Sequence, residues 1–194
     1  MEFVYEVNTW SFTKEQMEEL CNLLEEYKPK SICEFGCGVT SSVFMQWCDS
    51  NDCELLSIEH DVKYAEKYNG VVFPLKEFGE LEIGDVHFKN VNYYVGLEEY
   101  LSKCGKKFDF VCIDAPFGWD NRYEYTRVQL LDFIEYDLLC DECVFMVHDV
   151  ERVSQMNTLR IFENMVKEKG YEFEKKEINN GKILRVYKII KVYL

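Results

Sequence analysis

The stretch SICEFGCGVTSSVF, residues 31–44, decides the fold, because an apolar run passes through a glycine turn into small hydroxyl residues. This order predicts a buried strand, a tight turn and the start of a helix. A Gly-x-Gly turn lets the backbone approach a ligand closely, and the following helix presents unpaired amides at its N-terminus. Taken alone, the turn between Gly36 and Gly38 is a weak signal, because a plain strand-to-helix connection is an alternative.

The residues around this turn favour a ligand without phosphates. Glu34 stands two residues before Gly36, where a carboxylate repels a pyrophosphate and suits a cationic group. Ser41 occupies the third position of the dinucleotide fingerprint, which is usually Gly or Ala. Glu59 lies 23 residues after Gly36, the position from which an acidic side chain accepts both hydroxyls of a ribose. A ribose, a cationic amino-acid end and no phosphate together predict S-adenosylmethionine.

Length and charge set the broad class of the protein. The chain has 194 residues and 47% hydrophobic residues, which predicts one folded domain. Its formal net charge of −14 disfavours nucleic acids and anionic membranes as partners. No apolar run approaches the roughly 20 residues of a membrane span, and Glu2 and Glu6 replace the basic start of a secretion signal. We therefore expect a cytoplasmic protein.

The nine cysteines fit a reducing compartment better than a metal site or a disulfide framework. Cys140 and Cys143 form a C-x-x-C pair, but no second pair or histidine stands at zinc-ligand spacing. The pair also enters an apolar strand instead of opening a helix, as a redox motif would. We expect free thiols.

Apolar runs alternate with amphipathic helical stretches along most of the chain, and several of the runs are apolar without alternation. This pattern predicts a doubly wound α/β fold with a mostly parallel sheet and helices on both faces. The first helix covers residues 13–27, with Thr13 and Gln16 as a capping box. Strands are predicted at 31–35, 54–59, 86–91, 108–113 and 143–148, helices at 41–48, 61–68, 96–103, 126–139 and 154–169, and a terminal hairpin at 171–177 and 183–190.

Acidic or polar groups follow every predicted strand of the sheet. In a doubly wound sheet these strand ends surround the ligand-binding crevice. The groups are Glu34 with the glycine turn, Glu59 with His60 and Asp61, Asn92 with Tyr93 and Tyr94, Asp114, and His148 with Asp149.

Four motifs in this order resemble those of the class I S-adenosylmethionine-dependent methyltransferases. CEFGCGVTSSVF is similar to their first motif, LLSIEHD to the second, FDFVCIDAPFG to the fourth strand and LLCDECVFMVHDVER to the fifth. The resemblance covers about residues 13–190. It implies a Rossmann-like seven-stranded sheet whose last inserted strand is antiparallel. The predicted domain is then 1–194, with a helical N-terminal cap at 1–30 and the core at 31–194.

The resemblance also implies a set of cofactor contacts. Glu34 and the backbone of the turn would face the amino-acid part of the cofactor, Glu59 the ribose, and His60 or the Asn92–Tyr93 region the adenine. The complete predicted set is Glu34, Gly36, Cys37, Gly38, Ser41, Glu59, His60, Asn92 and Asp114.

Asp114, His148 and Asp149 are the predicted catalytic residues. In catechol-type O-methyltransferases the same two strand ends carry a metal, with an Asn directly after the second Asp. Val150 stands at that place here, so Mg²⁺ on Asp114 and Asp149 is one alternative. The other is a metal-free site in which His148 or Asp149 removes the proton of the acceptor.

The long segment APFGWDNRYEYTR, residues 115–127, is the predicted acceptor loop. Trp119 and Tyr123 offer aromatic faces to a sugar or planar ring, while Arg127 and Arg152 offer forks to an anion. The same residues could instead pack the loop and pair with surface acids. The predicted acceptor is a small molecule or a sugar or glycan precursor, and a homodimer is compatible with the sequence.

Three other functions stay open at this point. An N-methyltransferase is one, since Asp114-Ala-Pro-Phe is close in spelling to the amino-methylating Asn/Asp-Pro-Pro-Tyr/Phe tetrad. A catalytically silent nucleoside-binding module of the same fold is another. An NAD-dependent oxidoreductase is disfavoured by Glu34 and Ser41.

Overall fold

The computed structural model describes residues 1–7, 12–116 and 127–193, without the side chains of Phe78 and Asn90. The helices in these ranges are α1 (Lys14–Tyr27), α2 (Val39–Ser50), α3 (Val62–Tyr68), α4 (Leu97–Cys104), α5 (Asp132–Glu135) and α6 (Val153–Glu168). The strands are β1 (Ser31–Phe35), β2 (Glu54–Glu59), β3 (Val71–Val72), β4 (Leu75–Ile83), β5 (Val86–Tyr94), β6 (Phe108–Ile113), β7 (Leu139–Val147), β8 (Tyr171–Asn179) and β9 (Ile183–Lys191).

Seven of these strands form one sheet in the order β3-β2-β1-β6-β7-β9-β8. Strand β1 pairs in parallel with β2 on one side and β6 on the other, so the strand order reverses between β1 and β6. Strand β9 is antiparallel to both β7 and β8. The predicted doubly wound sheet with an antiparallel last inserted strand is therefore confirmed. Its topological switch point, where ligands bind in such sheets, lies at the ends of β1 and β6.

The prediction of a main-sheet strand at 86–91 is wrong. Those residues belong to β5, which pairs antiparallel with β4 in a separate two-stranded sheet, while the short β3 forms the edge of the main sheet. The cause is the two-residue turn at Gly84–Asp85, where Gly84 has a φ of +61°. Such a turn joins neighbouring antiparallel strands directly, whereas a parallel strand needs a long crossover.

The helix predicted over 126–139 is also corrected. The described residues form a 3-10 turn at Val128–Leu131 and then the short helix α5. Asp137 adopts a left-handed conformation with a φ of +54°, and the N–H of Leu138 bonds back to the carbonyl of Phe133 at 2.8 Å. This is a Schellman-type stop, so β7 begins at Leu139, four residues earlier than predicted.

Both faces of the main sheet are covered by buried apolar clusters. Neighbouring residues of β1 alternate between them: Ile32 joins a cluster with α1 and α2, and Cys33 joins the larger cluster on the other face. The predicted capping box of α1 is confirmed, with Gln16 N–H on Thr13 Oγ1 at 3.4 Å and Thr13 N–H on Gln16 Oε1 at 2.9 Å.

All nine cysteines are unpaired, and Cys140 and Cys143 both lie within β7. Within the described ranges, no helix has the length and apolar character needed to cross a membrane.

Candidate active site

The turn after β1 is held by a close approach to the segment after β6. Gly36 has a φ of +100°, and a Cβ at this position would lie 2.5 Å from the Cβ of Ala115. Its N–H donates to the carbonyl of Ile58 at 2.8 Å, which ties the turn to β2 as well. Gly38 differs, because a Cβ there would meet no atom within 4 Å, and its N–H donates to Ser41 Oγ at 2.8 Å. The turn is therefore rigid at Gly36 and open toward the crevice at Gly38.

Glu34 lies behind this turn and is 1% exposed. Its Oε1 accepts the hydroxyl of Ser57 at 2.6 Å, and its Oε2 accepts that of Thr40 at 3.2 Å. Burial raises the pKa of Glu34 to about 7, although hydrogen bonds from Ser57, Ser41 and Thr40 oppose that rise. The contact of Glu34 with the amino-acid part of a cofactor stays a prediction, and each of its oxygens keeps one acceptor position beside the hydroxyl that it already accepts.

The carboxylate of Glu59 organises the ends of both β1 and β2. Its Oε2 accepts the N–H of Cys37 at 2.7 Å, and its Oε1 accepts the N–H groups of His60 and Asp61 at 2.7 and 2.9 Å. Burial alone would raise the pKa of Glu59, but the bonds from His60, Asp61 and Cys37 lower it, so the carboxylate is held ionised. One acceptor position remains on Oε2 for a ribose hydroxyl, because each carboxylate oxygen has two lone pairs.

The two residues predicted near the adenine lie in different surroundings. His60 is at the end of β2, with Nδ1 2.8 Å from Glu59 Oε1 and a side chain that is 23% exposed. Asn92 is buried but lies inside the β4–β5 hairpin opposite Glu77, and so does not follow a main-sheet strand. The reason for selecting Asn92 was therefore wrong, and its contact with a ligand stays a prediction.

Tyr94, the last residue of β5, is a further candidate: the sequence analysis noted it beside Asn92 but did not place it in the predicted cofactor set. Its side chain is 1% exposed, and its ring stands edge-on to Phe35 and His60 at 5.6 and 6.3 Å. The side-chain amide of Gln129 bonds both the N–H and the carbonyl of Tyr94. Among the described residues the Tyr94 hydroxyl has no hydrogen-bond partner, and burial together with the charge of Glu59 raises its pKa well above the usual range.

The structure brings together Asp114 and His148, which follow the adjacent strands β6 and β7. Asp114 Oδ1 lies 2.7 Å from His148 Nδ1. When Asp114 accepts the Nδ1 proton, the lone pair of the imidazole is on Nε2. Within the described part of the chain Nε2 has no hydrogen-bond partner, and the ring of Phe12 lies 4.7 Å from the His148 ring. In that tautomer Nε2 of His148, a buried atom beside Phe12, is the candidate general base.

Asp149 is held by two guanidinium groups. Its Oδ2 lies 3.1 Å from Arg127 Nη2 and 2.9 Å from Arg152 Nη2. Burial would raise the pKa of Asp149, but Arg127, His148 and Arg152 lower it, so this carboxylate stays ionised. Its φ of +57° is uncommon for a residue with a side chain, and such strain is held by surrounding contacts.

The predicted acceptor contacts of Arg127 are corrected by its surroundings. The side chain is 3% exposed, and it donates to the carbonyls of Pro116, Asp114 and His148 as well as to Asp149. A guanidinium with four of its five N–H groups satisfied inside the protein positions other residues and is not free to bind an acceptor. Arg152 is 27% exposed, and its contact with an acceptor stays a prediction. Trp119 and Tyr123 lie outside the described residues.

The predicted Mg²⁺ site at Asp114 and Asp149 does not fit these contacts. Ligand atoms of Asp114, His148 and Asp149 do lie within 4.8 Å of one another. The guanidinium of Arg127, however, stands 3.1 Å from Asp149 and 3.6 Å from Asp114. Two unit charges at 4 Å interact by about 4 kcal/mol at an effective dielectric constant near 20, so a divalent ion beside Arg127 meets about twice that repulsion.

The ligand atoms available at Asp114, His148 and Asp149 also argue against a Mg²⁺ site. Mg²⁺ and Ca²⁺ take oxygen ligands, whereas the third group here is the imidazole of His148. The next residue along the chain, Val150, is buried and apolar and supplies no oxygen from its side chain.

Comparison of the fold with solved structures agrees with the motifs. No protein-family model and no curated protein matches the chain by sequence. An O-methyltransferase from Bacillus cereus solved with S-adenosylhomocysteine aligns with a TM-score of 0.60 at 13% identity, over 95% of this chain and 84% of that one. A methyltransferase from Podospora anserina, also bound to S-adenosylhomocysteine, aligns at 0.55 and 14%, over 91% and 79%. Precorrin-6y C5,15-methyltransferase from Geobacter metallireducens aligns at 0.55 and 14%, over 97% and 94%.

The chain therefore has the fold of the class I S-adenosylmethionine-dependent methyltransferases, as its motifs predicted. At 13 to 14% identity these similarities concern the fold and leave the acceptor open.

Proposed function

We propose that this protein is an S-adenosylmethionine-dependent methyltransferase that methylates an oxygen atom of a small molecule or of a sugar or glycan precursor. The fold, the order of the four motifs and the groups at the switch point support the transferase assignment. The observation that carries the choice of oxygen is the 2.7 Å contact between Asp114 Oδ1 and His148 Nδ1, which leaves Nε2 as a base. A neutral amine attacks through a lone pair that is already free, whereas a hydroxyl has to lose its proton as it attacks, so a paired base favours a hydroxyl acceptor.

The proposed cofactor site lies along the turn after β1 and the end of β2. Gly38 leaves room for the amino-acid part of the cofactor, and Glu59 offers its remaining Oε2 acceptor position to the ribose. Tyr94 adds a buried hydroxyl that has no partner among the described residues. The ionised state of Glu59 suits this role, since a carboxylate is the stronger acceptor of hydroxyl protons.

S-adenosylmethionine, when bound, supplies a methyl group already activated on a sulfonium, so the protein's main task is alignment. With the ring of Phe12 displaced from Nε2, His148 would take the proton of the acceptor hydroxyl while the acceptor oxygen bonds the methyl carbon and the sulfur–methyl bond breaks, which leaves S-adenosylhomocysteine. Asp114 keeps Nδ1–H oriented and stabilises the imidazolium that results. Asp149, paired with Arg127 and Arg152, holds the backbone from which His148 projects.

The cofactor assignment is tested by isothermal titration calorimetry with S-adenosylhomocysteine and, separately, with NAD. We expect saturable binding of the first and no response to the second. Glu59→Gln should weaken S-adenosylhomocysteine binding at least about tenfold, the loss of one charge-assisted hydrogen bond, while Glu54→Gln at an exposed strand start should not. Absence of S-adenosylhomocysteine binding to the folded wild-type protein would overturn the assignment.

The oxygen assignment is tested by measuring S-adenosylhomocysteine release in the presence of panels of hydroxylated and aminated small molecules and sugars. We expect turnover with a hydroxyl acceptor and a drop of about 10²- to 10⁴-fold in His148→Gln, with cofactor binding retained. Turnover confined to amines would overturn the oxygen assignment. Binding without turnover on any acceptor would indicate the silent nucleoside-binding module instead.

The proposed partner is a small molecule and not a nucleic acid or membrane, since the chain carries a net charge of −14. The proposed compartment is the cytoplasm, where nine unpaired thiols stay reduced. A homodimer remains the assembly to test by sedimentation.

A further inference from the structure

The carboxyl ends of β6 and β7 share one buried cation. Arg127 Nη2 lies 3.1 Å from Asp149 Oδ2 and 3.6 Å from Asp114 Oδ1, and the Arg127 side chain is 3% exposed. A second guanidinium, that of Arg152, reaches Asp149 at 2.9 Å. Among the described residues, these two carboxylates therefore face two guanidinium groups, and the charges of the four side chains balance.

Arg127 also bridges the backbone of the two strand ends. Its Nε donates to the carbonyl of Pro116 at 3.2 Å, its Nη2 to that of Asp114 at 2.7 Å, and its Nη1 to that of His148. The planar fork of a guanidinium can make these bonds together, whereas an ammonium group supplies fewer donors from a single point. Arg127 thereby fixes the distance between the two residues that form the proposed base.

We propose that Arg127 is an internal cation that takes the place of a divalent metal, so that the acceptor site works and binds its ligands without one. The inference rests on the proposed function, which supplies the need for a positioned acid–base pair. Arg127 acts here as a positioning residue. It neutralises Asp114 and Asp149 and fixes the position of His148 relative to Asp114. The imidazole of His148 itself removes the proton.

The first test is the melting temperature of the wild-type protein with and without millimolar Mg²⁺, Mn²⁺ or Ca²⁺. We expect no saturable shift with any of the three ions. A saturable rise in the wild type that Asp149→Asn abolishes would overturn the proposal. This measurement needs no cofactor, so its outcome is separate from the S-adenosylhomocysteine titration that tests the proposed function.

The second test removes the internal cation. Arg127→Met removes one of the two guanidinium groups beside Asp114, His148 and Asp149, whose donor atoms lie within 4.8 Å of one another, and leaves only Arg152 on Asp149. We expect Mn²⁺ to raise the melting temperature of this variant by about 5 °C. Arg127→Lys keeps the charge and should remain indifferent to the ion. Arg160→Met, which removes an exposed guanidinium paired with Asp85, is the matched control and should also be indifferent.

A folded Arg127→Met variant that shows no response to Mn²⁺ would overturn the proposal, because the guanidinium would then not be what excludes the ion. A purely structural role for Arg127 would lower the melting temperature without creating a response to metal. If Arg127→Met does not fold, the wild-type titration and the Arg127→Lys variant still decide the question.

Discussion

Gly36 and Ala115 are in direct packing contact across the switch point, since a Cβ on Gly36 would lie 2.5 Å from the Cβ of Ala115. The turn that follows β1 is thereby locked against the segment that follows β6. The proposed cofactor turn and the proposed catalytic Asp114 consequently share one rigid edge of the sheet. A substitution at Gly36 or Ala115 should therefore affect folding and ligand binding together. At Gly38 we expect an effect on ligand binding but little effect on folding.

Gly36→Ala is expected to lower the free energy of unfolding by about 2–4 kcal/mol, because the new Cβ adds a clash to a φ of +100°. Gly38→Ala is the matched control: its Cβ meets no described atom within 4 Å at an extended φ, and it should cost less than about 1 kcal/mol. The Gly38 variant should nevertheless weaken S-adenosylhomocysteine binding. Urea denaturation and calorimetry check the two effects. Equal stability losses in both variants would contradict the packing difference.

Tyr94→Phe is expected to keep or raise the stability of the unliganded protein by up to about 1 kcal/mol, because it removes a buried hydroxyl without a partner among the described residues. The same change should weaken S-adenosylhomocysteine binding several-fold if the hydroxyl serves a ligand. Tyr187→Phe is the control with the opposite sign, since that buried hydroxyl bonds Arg185 and Glu163 and its loss should destabilise. Unchanged ligand affinity in Tyr94→Phe would remove Tyr94 from the site.

Phe12→Leu is expected to expose Nε2 of His148, which has no hydrogen-bond partner in the described part of the chain and whose ring lies 4.7 Å from that of Phe12. The measurement is the rate of carbethoxylation of His148, followed by peptide mass spectrometry, and we expect a several-fold increase. Phe44→Leu, in the same buried cluster but packed on Phe110, controls for general loosening and should leave that rate unchanged. Equal rates in wild type and Phe12→Leu would show that Phe12 does not cover the base.

Asp132 gives a prediction about pH. Burial, with Glu98 and Glu135 nearby, raises the pKa of Asp132 to about 7, so the folded state keeps a proton that the unfolded chain loses above about pH 4. The stability contributed by this proton is complete at low pH and is lost as the pH rises through 7.

Asp132→Asn is therefore expected to stabilise the protein by about 2 kcal/mol more at pH 8 than at pH 5, which urea denaturation at the two pH values checks. Asp52→Asn, at an exposed carboxylate, is the control and should show no such difference. The same difference in both variants would mean that the effect does not come from burial of Asp132.

The pattern of apolar runs and capping residues was enough to predict most of the architecture. The strands and helices from residue 31 to 68 were predicted closely, because unbroken apolar runs and capping residues determine the local conformation there. The groups at the ends of β1, β2, β6 and β7 were also found, because the carboxyl ends of parallel strands all meet at one edge of the sheet.

Prediction failed where pairing depends on partners that are distant in sequence or on a single turn. The stretch at 86–91 has the composition of a sheet strand, but the turn at Gly84–Asp85 directs it into a hairpin with β4. Tyr94 was noted beside Asn92 but left out of the predicted cofactor set, although it ends that strand. Strand composition does not specify which neighbour a strand takes.

The sequence by itself determined the order of strands and helices, the glycine turn and the acidic residues beside it, because these depend on local conformational preference and on spacing. Only the tertiary structure decided what those side chains contact. Arg127 was predicted on the acceptor, yet folding buries its guanidinium between Asp114 and Asp149. A charged side chain removed from water has to find its counter-charges inside the protein, and which ones it finds depends on the packing of strands far apart in the chain.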